Sequence, residues 1–226
     1  MAELFSEFDI LGAFWMTIKL TVLSGLGAFV MGTVIAIMRV APSAFIRSLG
    51  SLYVNTIRNT PLTLVAVFCT LGLKVNMDIR LADPNSPTSI ADTNFRWALI
   101  ALAVYHAAFV CEAIRSGINT IPVGQAEAAR SVGLSFGQSL RHVLIPQALR
   151  GAIAPLGNTF IALTKNTTIV SAIGVAEVSL LMGEMIENRP DLLFAIFAVV
   201  ALGFVVLTLP MGLLATSMSQ RLAVKR

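Results

Sequence analysis

The chain has 226 residues, of which 56% are hydrophobic and 12% are charged, and its formal net charge is +4. Soluble proteins carry about 25% charged residues, so this composition excludes an ordinary soluble protein. Together with a mean hydropathy of +0.83, it predicts an integral membrane protein. The small positive charge is explained by membrane topology, and we predict no nucleic-acid binding.

Five apolar runs predict five membrane-spanning helices and an all-α fold, because every backbone polar group inside a bilayer has to be hydrogen-bonded within the protein. The N-terminal sequence MAELFSEFDI is acidic and lacks the basic region of a secretory signal, so the first run is predicted to be a retained helix. Ala28, Gly32 and Ala36 recur every four residues in that run and permit close approach of another helix. The runs cover approximately residues 11–40, 52–75, 95–118, 152–185 and 192–218.

The charges between the runs predict the orientation. Lys and Arg beside membrane spans stay on the cytoplasmic side, and here they follow the first, third and fifth runs, whereas the other connections are acidic. The N-terminus is therefore predicted outside and the C-terminus in the cytoplasm. The connection 76–94 is then external, either as an ordinary surface loop or as a contact for an external partner. The cytoplasmic cations are Arg39, Arg47, Arg115, Arg130, Arg141, Arg150, Arg221, Lys225 and Arg226.

The inventory of reactive side chains excludes several chemistries. Cys69 and Cys111 lie in separate predicted spans and are interpreted as buried thiols, and His106 and His142 have no partners at metal-ligand spacing. The sequence GLSFG (133–137) matches the G-x-S-x-G pattern of hydrolases, but it lies between helical stretches and not at a strand-to-helix turn. No G-x-x-x-x-G-K-[ST] loop is present, so energy for moving a solute has to come from another chain. We predict a protein that is not an enzyme and holds no metal or cofactor.

A polar, Ala-rich segment, GQAEAARSVGLSFGQSLRHVLIPQALRG (124–151), separates the third and fourth runs. Thr120 is predicted to cap a first short helix, and Gly133 to end it in a left-handed conformation. The S-x-x-Q sequence at 135–138 predicts a capping box for a second helix. Pro146 is predicted to end that helix, because the residue before a proline is disfavoured in the helical region.

The first of these short helices has two interpretations. Its Arg residues suit a helix that lies on the lipid surface. Its apolar side, however, consists of Ala126, Ala129 and Val132, which are too small to anchor in acyl chains. Small side chains favour close docking into a groove on a partner protein, and docking is the more specific hypothesis.

The same segment resembles the EAA loop of bacterial ABC importer permeases. The residues Glu-Ala-Ala at 127–129, then Gly133, then Ile-Pro-Gln-Ala at 145–148, follow the spacing of that loop. Ile145 stands in place of the usual Leu before the proline. This motif identifies the chain as similar to the translocating subunits of such importers.

Further stretches resemble the subfamily that transports polar amino acids such as histidine, glutamate, glutamine and arginine. They are YVNTIRNTPL (53–62), EAIRSGI (112–118) and KNTTI (165–169), the last with Asn166 in place of the usual Asp. The resemblance covers roughly residues 14–214. Within the subfamily it is nearest to the permease subunits of actinobacterial glutamate uptake systems.

The resemblance implies a MetI-like permease fold, with residues 1–226 as one transmembrane domain and 119–147 as a cytoplasmic coupling segment. It implies a multi-pass importer subunit in the bacterial cell membrane, for L-glutamate or else for glutamine, aspartate or a basic amino acid. The implied partners are an ABC ATPase dimer that binds ATP and Mg, a second homologous permease and an extracytoplasmic amino-acid-binding protein. A self-contained carrier or channel is disfavoured, since no internal repeat is evident. The implied coupling residues are Gly124, Glu127, Ala128, Ala129, Gly133 and Pro146.

Ionisable residues within spans mark a function or a buried ion pair. Arg58 precedes Thr60-Pro61 and Lys165 precedes a polar interruption, and broken helices expose backbone groups to a polar solute. Their positive charge favours an anionic or zwitterionic solute, although both could equally lie at the interface between two permeases. Glu112 is expected to pair with Arg115, three residues later, or with a neighbouring subunit. The candidates for the solute path are Arg58, Thr60, Pro61, Glu112, Lys165, Asn166, Thr167 and Thr168.

Overall fold

The computed structural model describes residues 2–222, and the side chains of residues 4–222. All regular secondary structure in this range is helical, which confirms the predicted all-α fold. The helices are α1 (Ala2–Glu7), α2 (Ile10–Val40), α3 (Ala44–Arg58), α4 (Leu62–Val67) with a π-helical continuation (Phe68–Asn76), α5 (Ser89–Ile118), α6 (Val123–Ser131), α7 (Phe136–Ser139) with a π-helical turn (Leu140–Leu144), α8 (Ile145–Asn166) with a 3₁₀ continuation (Thr167–Ile173), α9 (Val178–Asn188), a 3₁₀ turn (Pro190–Leu192) and α10 (Leu193–Leu222).

Three helices in the described range are long and apolar enough to cross a membrane: Ile10–Val40, Ser89–Ile118 and Pro190–Leu222. Two bent pairs pass the same test as pairs, with bends of 102° between α3 and α4 and of 59° between the α8 region and α9. The chain therefore has three spans, or up to five if each bent pair crosses the membrane once. This result agrees with a multi-pass membrane protein, and the count of five stays a prediction.

The helix α5 lies at the centre of the bundle, where it packs against both α2 and α8. Many of its buried residues are alanines, and Ala107 and Ala108 are fully buried. Gly32 of α2 lies so close to α5 that a Cβ atom there would be 2.6 Å from the Val110 side chain. The small-residue stripe of the first run therefore packs inside this chain, against α5.

The bend between α3 and α4 lies at the predicted Thr60-Pro61 site. The helix α3 ends at Arg58, and Pro61 occupies the N-cap position of α4. Proline disfavours helical geometry at the residue before it, so the two helices cannot continue as one straight rod. The structure corrects the predicted start of this span, since α3 begins at Ala44. Its first part includes exposed polar residues such as Arg47 and therefore does not form an apolar run.

The predicted interruption of the fourth run lies in the wrong place. The chain does not break after Lys165, because α8 ends at Asn166 and continues directly as a 3₁₀ helix to Ile173. Hydroxyl groups in this region donate to carbonyl oxygens of the preceding turn; the Thr168 hydroxyl, for example, donates to the Lys165 carbonyl at 2.8 Å. The polar side chains are therefore hydrogen-bonded without an interruption of the helix. The change of direction comes later, at Gly174, whose φ of 76° is left-handed and favours glycine.

The contact between α5 and α8 gives a first prediction. A Cβ atom at Gly117 would collide with the carbonyl oxygen of Ala148. Backbone atoms cannot rotate away, so we expect Gly117→Ala to force the helices apart and to cost about 1–3 kcal/mol. The measurement is the thermal unfolding midpoint of the detergent-purified chain. Gly183→Ala is the control, because nothing lies within 4 Å of a Cβ atom there; equal midpoints for the two variants would contradict the prediction.

Candidate coupling segment and solute path

The helix α6 ends in a Schellman motif at Gly133. The amide of Gly133 donates to the carbonyl of Arg130 at 2.9 Å, and the amide of Leu134 donates to that of Ala129 at 3.1 Å. Gly133 has a φ of 82°, in the left-handed region that favours glycine. The predicted role of Gly133 as the end of this helix is therefore confirmed.

One surface of α6 is available to a partner. Gly124, Glu127 and Ala128 are exposed, and nothing lies within 4 Å of a Cβ atom built at Gly124. Val123 and Val132 are also exposed, by 73% and 77%. Exposed apolar and small residues around one carboxylate form a surface that suits docking into a groove.

Ala129 does not belong to that surface. It is only 5% exposed, and α6 packs against the π-helical turn Leu140–Leu144 of its own chain. The apolar side predicted for docking is thus divided, with Ala129 turned inward and Val132 outward. The small side chain of Ala129 permits close packing within this chain, so Ala129 does not lie on the exposed surface where a partner could dock.

The start of the second short helix follows the prediction, and its end does not. The capping box of Ser135 and Gln138 is present, which occupies the hydroxyl of the GLSFG sequence in a structural role. Pro146, however, lies near the start of α8 and does not end the second short helix as predicted. Ile145 before it keeps helical angles, φ −59° and ψ −46°, because the preceding π-helical turn changes the hydrogen-bond register where the proline has no N–H.

Thr120 also differs from its predicted role as the cap of α6. Its hydroxyl donates to the carbonyl of Gly117 at 2.7 Å and so closes the end of α5. The N-cap position of α6 belongs to Pro122, which makes no side-chain hydrogen bond there. The end of α5 is thus closed by local hydrogen bonds, and only Ile121 and Pro122 separate Thr120 from the start of α6 at Val123.

A four-residue charge cluster lies near the same end of α5. The Glu112 carboxylate bonds to Arg39 of α2 through one oxygen and to Arg115 at 2.8 Å through the other. Arg58 of α3 lies at 3.9 Å from the second oxygen. The predicted pairing of Glu112 with Arg115 is confirmed, and the cluster holds three helices together while keeping an excess of positive charge.

The central helix carries an aromatic surface that joins the two groups of solute-path candidates. The Arg58 guanidinium lies over the Phe109 ring at 5.6 Å, and Phe109 lies 6.2 Å from the His106 ring. The Nε2 atom of His106 is 3.2 Å from the side-chain nitrogen of Asn166. Arg58 and Asn166 therefore lie at opposite ends of one connected row of side chains.

The remaining solute-path candidates differ in what they offer. Lys165 is exposed and makes no ion pair among the described side chains. Thr60 and Thr168 bond to carbonyls within their own helical turns, at 2.8 Å each. Thr167 is fully buried and bonds to Thr164. Of this set, Arg58 and Lys165 are exposed cations and Asn166 is a partly buried amide.

His106 and Phe109 are not among the residues predicted from the sequence for the solute path, although their spacing along the chain is informative. His106, Phe109 and Glu112 are spaced every three residues, which places them along one side of a helix. The span is rich in alanine, so three large or polar side chains in one row indicate a surface that does more than pack against another helix. His106 was interpreted as isolated, whereas it has a backbone partner in Leu102 and a side-chain partner in Asn166.

The sequence matches a known protein family over most of its length. Residues 28–224 match the family described as "Binding-protein-dependent transport system inner membrane component". The chain therefore belongs to this family of multi-pass permease subunits of ABC importers.

Individual relatives of the chain are named as permeases for amino acids. The chain is 55% identical, over 96% of each sequence, to the glutamate transport system permease protein GluC of Corynebacterium glutamicum. It is 33% identical to a probable glutamine ABC transporter permease, GlnM, of Bacillus subtilis, over 97% of this chain and 96% of the relative. It is 32% identical to the glutamate/aspartate import permease GltJ of Escherichia coli K12, over 77% and 71% of the two chains.

Solved structures agree with the fold. A chain of an amino acid ABC transporter crystallised with histidines is 32% identical, with a TM-score of 0.78 and coverage of 94% of this chain and 93% of that chain. A chain of the inward-facing MetNI methionine transporter has a TM-score of 0.75 at 19% identity, over 95% and 96% of the two chains. The second likeness supports the fold alone, and it agrees with the predicted MetI-like architecture.

Proposed function

We propose that this chain is the permease subunit of an ATP-driven importer for L-glutamate. The observation that carries the proposal is the 55% identity to a glutamate permease along 96% of the chain. The positive charge of Arg58 and Lys165 is consistent with an anionic solute. Glutamine, aspartate and basic amino acids are the alternatives within the same class. The relatives named as a probable glutamine permease and a glutamate/aspartate permease support the first two.

In the proposed topology each bent pair crosses the membrane once, which makes five spans with the N-terminus outside. The coupling segment 119–147 then lies in the cytoplasm, where the α6 surface docks into a cleft of an ABC ATPase dimer. That dimer binds ATP and Mg and hydrolyses the ATP. A second homologous permease completes the solute path, and an extracytoplasmic binding protein delivers the amino acid.

The coupling mechanism uses the rigid connections around α6. When the ATPase dimer closes, it displaces α6, and the displacement passes through the closed turn at Thr120 to α5. The charge cluster at Glu112 links that end of α5 to α2 and α3. Movement at the cytoplasmic surface is thereby converted into rearrangement of the spans, and no residue of this chain performs chemistry.

The test is reconstitution in lipid vesicles with the ATPase and second permease that co-purify with this chain and with the binding protein of that system. We expect L-glutamate to stimulate ATP hydrolysis and to accumulate inside. Unlabelled glutamine, aspartate and arginine are tested as competitors. Stronger stimulation by any of these three would replace glutamate as the solute, and the lack of any associated ATPase would contradict the importer.

A second prediction concerns the solute path. We expect Arg58→Met and Lys165→Met each to weaken the apparent affinity for glutamate about tenfold or more, because a hydrogen bond to a charged group contributes roughly 1.5–3 kcal/mol. The measurement is glutamate uptake at matched expression. Arg47→Met is the control, since Arg47 is exposed on α3 and bonds to the carbonyls of Ala41 and Pro42. Unchanged affinity in both test variants would remove these residues from the path.

A further inference from the structure

A cleft of about 320 Å³ lies where the π-helical continuation of α4 meets the start of α5. Sites for small molecules usually occupy about 300–1,000 Å³, so this cleft has the size for one amino acid. Its polar lining is rich in charged and hydroxyl groups for a membrane protein with only 12% charged residues. The polar lining residues are Lys74, Asp78, Arg80, Ser89 and Thr93.

The two cations of the cleft differ in their partners. Arg80 is paired with Asp78 at 2.8 Å. Lys74 is partly buried, and its ammonium donates to the side-chain oxygen of Asn94. In the part of the chain whose side chains are described, Lys74 has no carboxylate within ion-pair distance. The cleft therefore offers one complete ion pair and one cation that lacks an anionic partner.

The loop that forms the cleft is held in shape by hydrogen bonds to helices. The Ile79 amide donates to the Leu73 carbonyl at 3.1 Å, and the Trp97 indole donates to the Ile79 carbonyl at 3.3 Å. Asp78 has a φ of 50°, a left-handed conformation that is uncommon outside glycine. These contacts hold in place the backbone of the loop that carries Asp78 and Arg80.

The cleft lies at the opposite end of α5 from the coupling segment. The helix has 30 residues, which corresponds to a length of about 45 Å. If the coupling segment is cytoplasmic, as in the proposed function, the cleft opens on the outer side of the membrane. It is also separate from the row formed by Arg58, Phe109 and Asn166 farther along the bundle.

We propose that this cleft is an external reception site for an acidic amino acid, which binds there before it enters the membrane path. Asp78 binds the ammonium group of the ligand and Arg80 its α-carboxylate, while Lys74 binds the side-chain carboxylate. The three charged groups thus match the three charged groups of L-glutamate. The proposal rests on the proposed function for the identity of the solute and for the orientation of the cleft.

The experiment measures protection of a cysteine in the cleft wall. Ile90 lines the cleft and is 73% exposed, so Ile90→Cys gives an accessible thiol, whereas the native Cys69 and Cys111 are buried. The assembled permease–ATPase complex is purified without its binding protein and treated with a charged methanethiosulfonate reagent. We expect L-glutamate to slow this labelling, and L-glutamine to do so less effectively because it lacks the second carboxylate.

Variants of the cleft sharpen the result. With Lys74→Met in addition, we expect the glutamate concentration for half-protection to rise about fivefold, the effect of one partly exposed ion pair, and the preference over glutamine to disappear. Arg80→Gln is expected to weaken protection by both amino acids. Asn188→Cys, exposed at the end of α9 and outside the cleft, is the control thiol and is not expected to be protected.

Two results would overturn the proposal. One is labelling of Ile90→Cys that glutamate does not slow, and the other is a preference for glutamate that persists in Lys74→Met. The first would leave the cleft as a contact for the binding protein or as plain surface. Glutamate-stimulated ATP hydrolysis, measured with the binding protein on the same preparation, separates the two hypotheses: stimulation without protection rejects the cleft alone, whereas protection without stimulation rejects the importer assignment alone.

Discussion

Replacing Gly124 by leucine is expected to remove most of the glutamate-stimulated ATP hydrolysis while the permease stays folded. Gly124 is exposed, and nothing in this chain lies within 4 Å of a Cβ atom there. A larger side chain costs the permease nothing, but it would collide with a partner docked on α6. We expect glutamate-stimulated hydrolysis to fall about tenfold or more, which corresponds to a docking loss of at least ~1.4 kcal/mol.

The position is chosen because its two neighbours in the motif give less specific results. Gly133→Asp would place a side chain in the left-handed region and strain the permease itself. Glu127→Lys reverses a charge and changes long-range attraction to any partner as well as the local contact. Both variants are expected to lose coupling with intact membrane insertion, but only Gly124→Leu changes the docking surface without changing the backbone or the charge.

Gly183→Leu is the matched control for this experiment. Gly183 is an exposed helical glycine in α9 with nothing within 4 Å of its Cβ position, as at Gly124. The two variants therefore add the same side chain to equally open sites. ATPase co-purification and hydrolysis are measured for each at equal thermal stability. Normal coupling in Gly124→Leu, or an equal loss in Gly183→Leu, would contradict the docking surface.

The features that could be predicted from the sequence depend on neighbouring residues. Gly133 ends α6 because the left-handed position of a Schellman motif favours glycine, whatever lies elsewhere in the chain. The capping box at Ser135 and the bend before Pro61 follow from local hydrogen bonding and sterics in the same way. Short motifs are therefore sufficient to predict where these helices begin, end and bend.

The features that could not be predicted depend on contacts between distant residues. The pair of His106 and Asn166 joins residues far apart in the sequence, and no local rule relates them. Pro146 would end an ordinary α-helix, but the π-helical turn before it absorbs the missing N–H. Ala129 could be assigned to a partner or to the interior only after the packing of α6 was known.

Replacing Glu112 by glutamine is expected to have the largest effect on the permease itself. Its carboxylate is the anion among the three arginines Arg39, Arg58 and Arg115. Without that charge the three cations repel one another across α2, α3 and α5. The Glu112 side chain is only 21% exposed. Hydrogen bonds to charged groups contribute about 1.5–3 kcal/mol, and we expect the free energy of unfolding to fall by about that amount.

For a chain of this length such a loss corresponds to a fall of about 3–12 °C in the unfolding midpoint. Glu184→Gln, at an exposed carboxylate of α9, is the control and is expected to change little.

A double variant separates ion pairing from simple packing. If Glu112 stabilises the bundle by neutralising arginines, then adding Arg39→Gln to Glu112→Gln removes one of the repelling charges, and the double variant should be more stable than the sum of the two single losses predicts. Strictly additive losses would mean that Glu112 and Arg39 stabilise the bundle independently, and would contradict a stabilising ion pair between them. Recovery of stability without recovery of glutamate-stimulated hydrolysis would further indicate that the cluster transmits movement from α6 as well as holding the helices together.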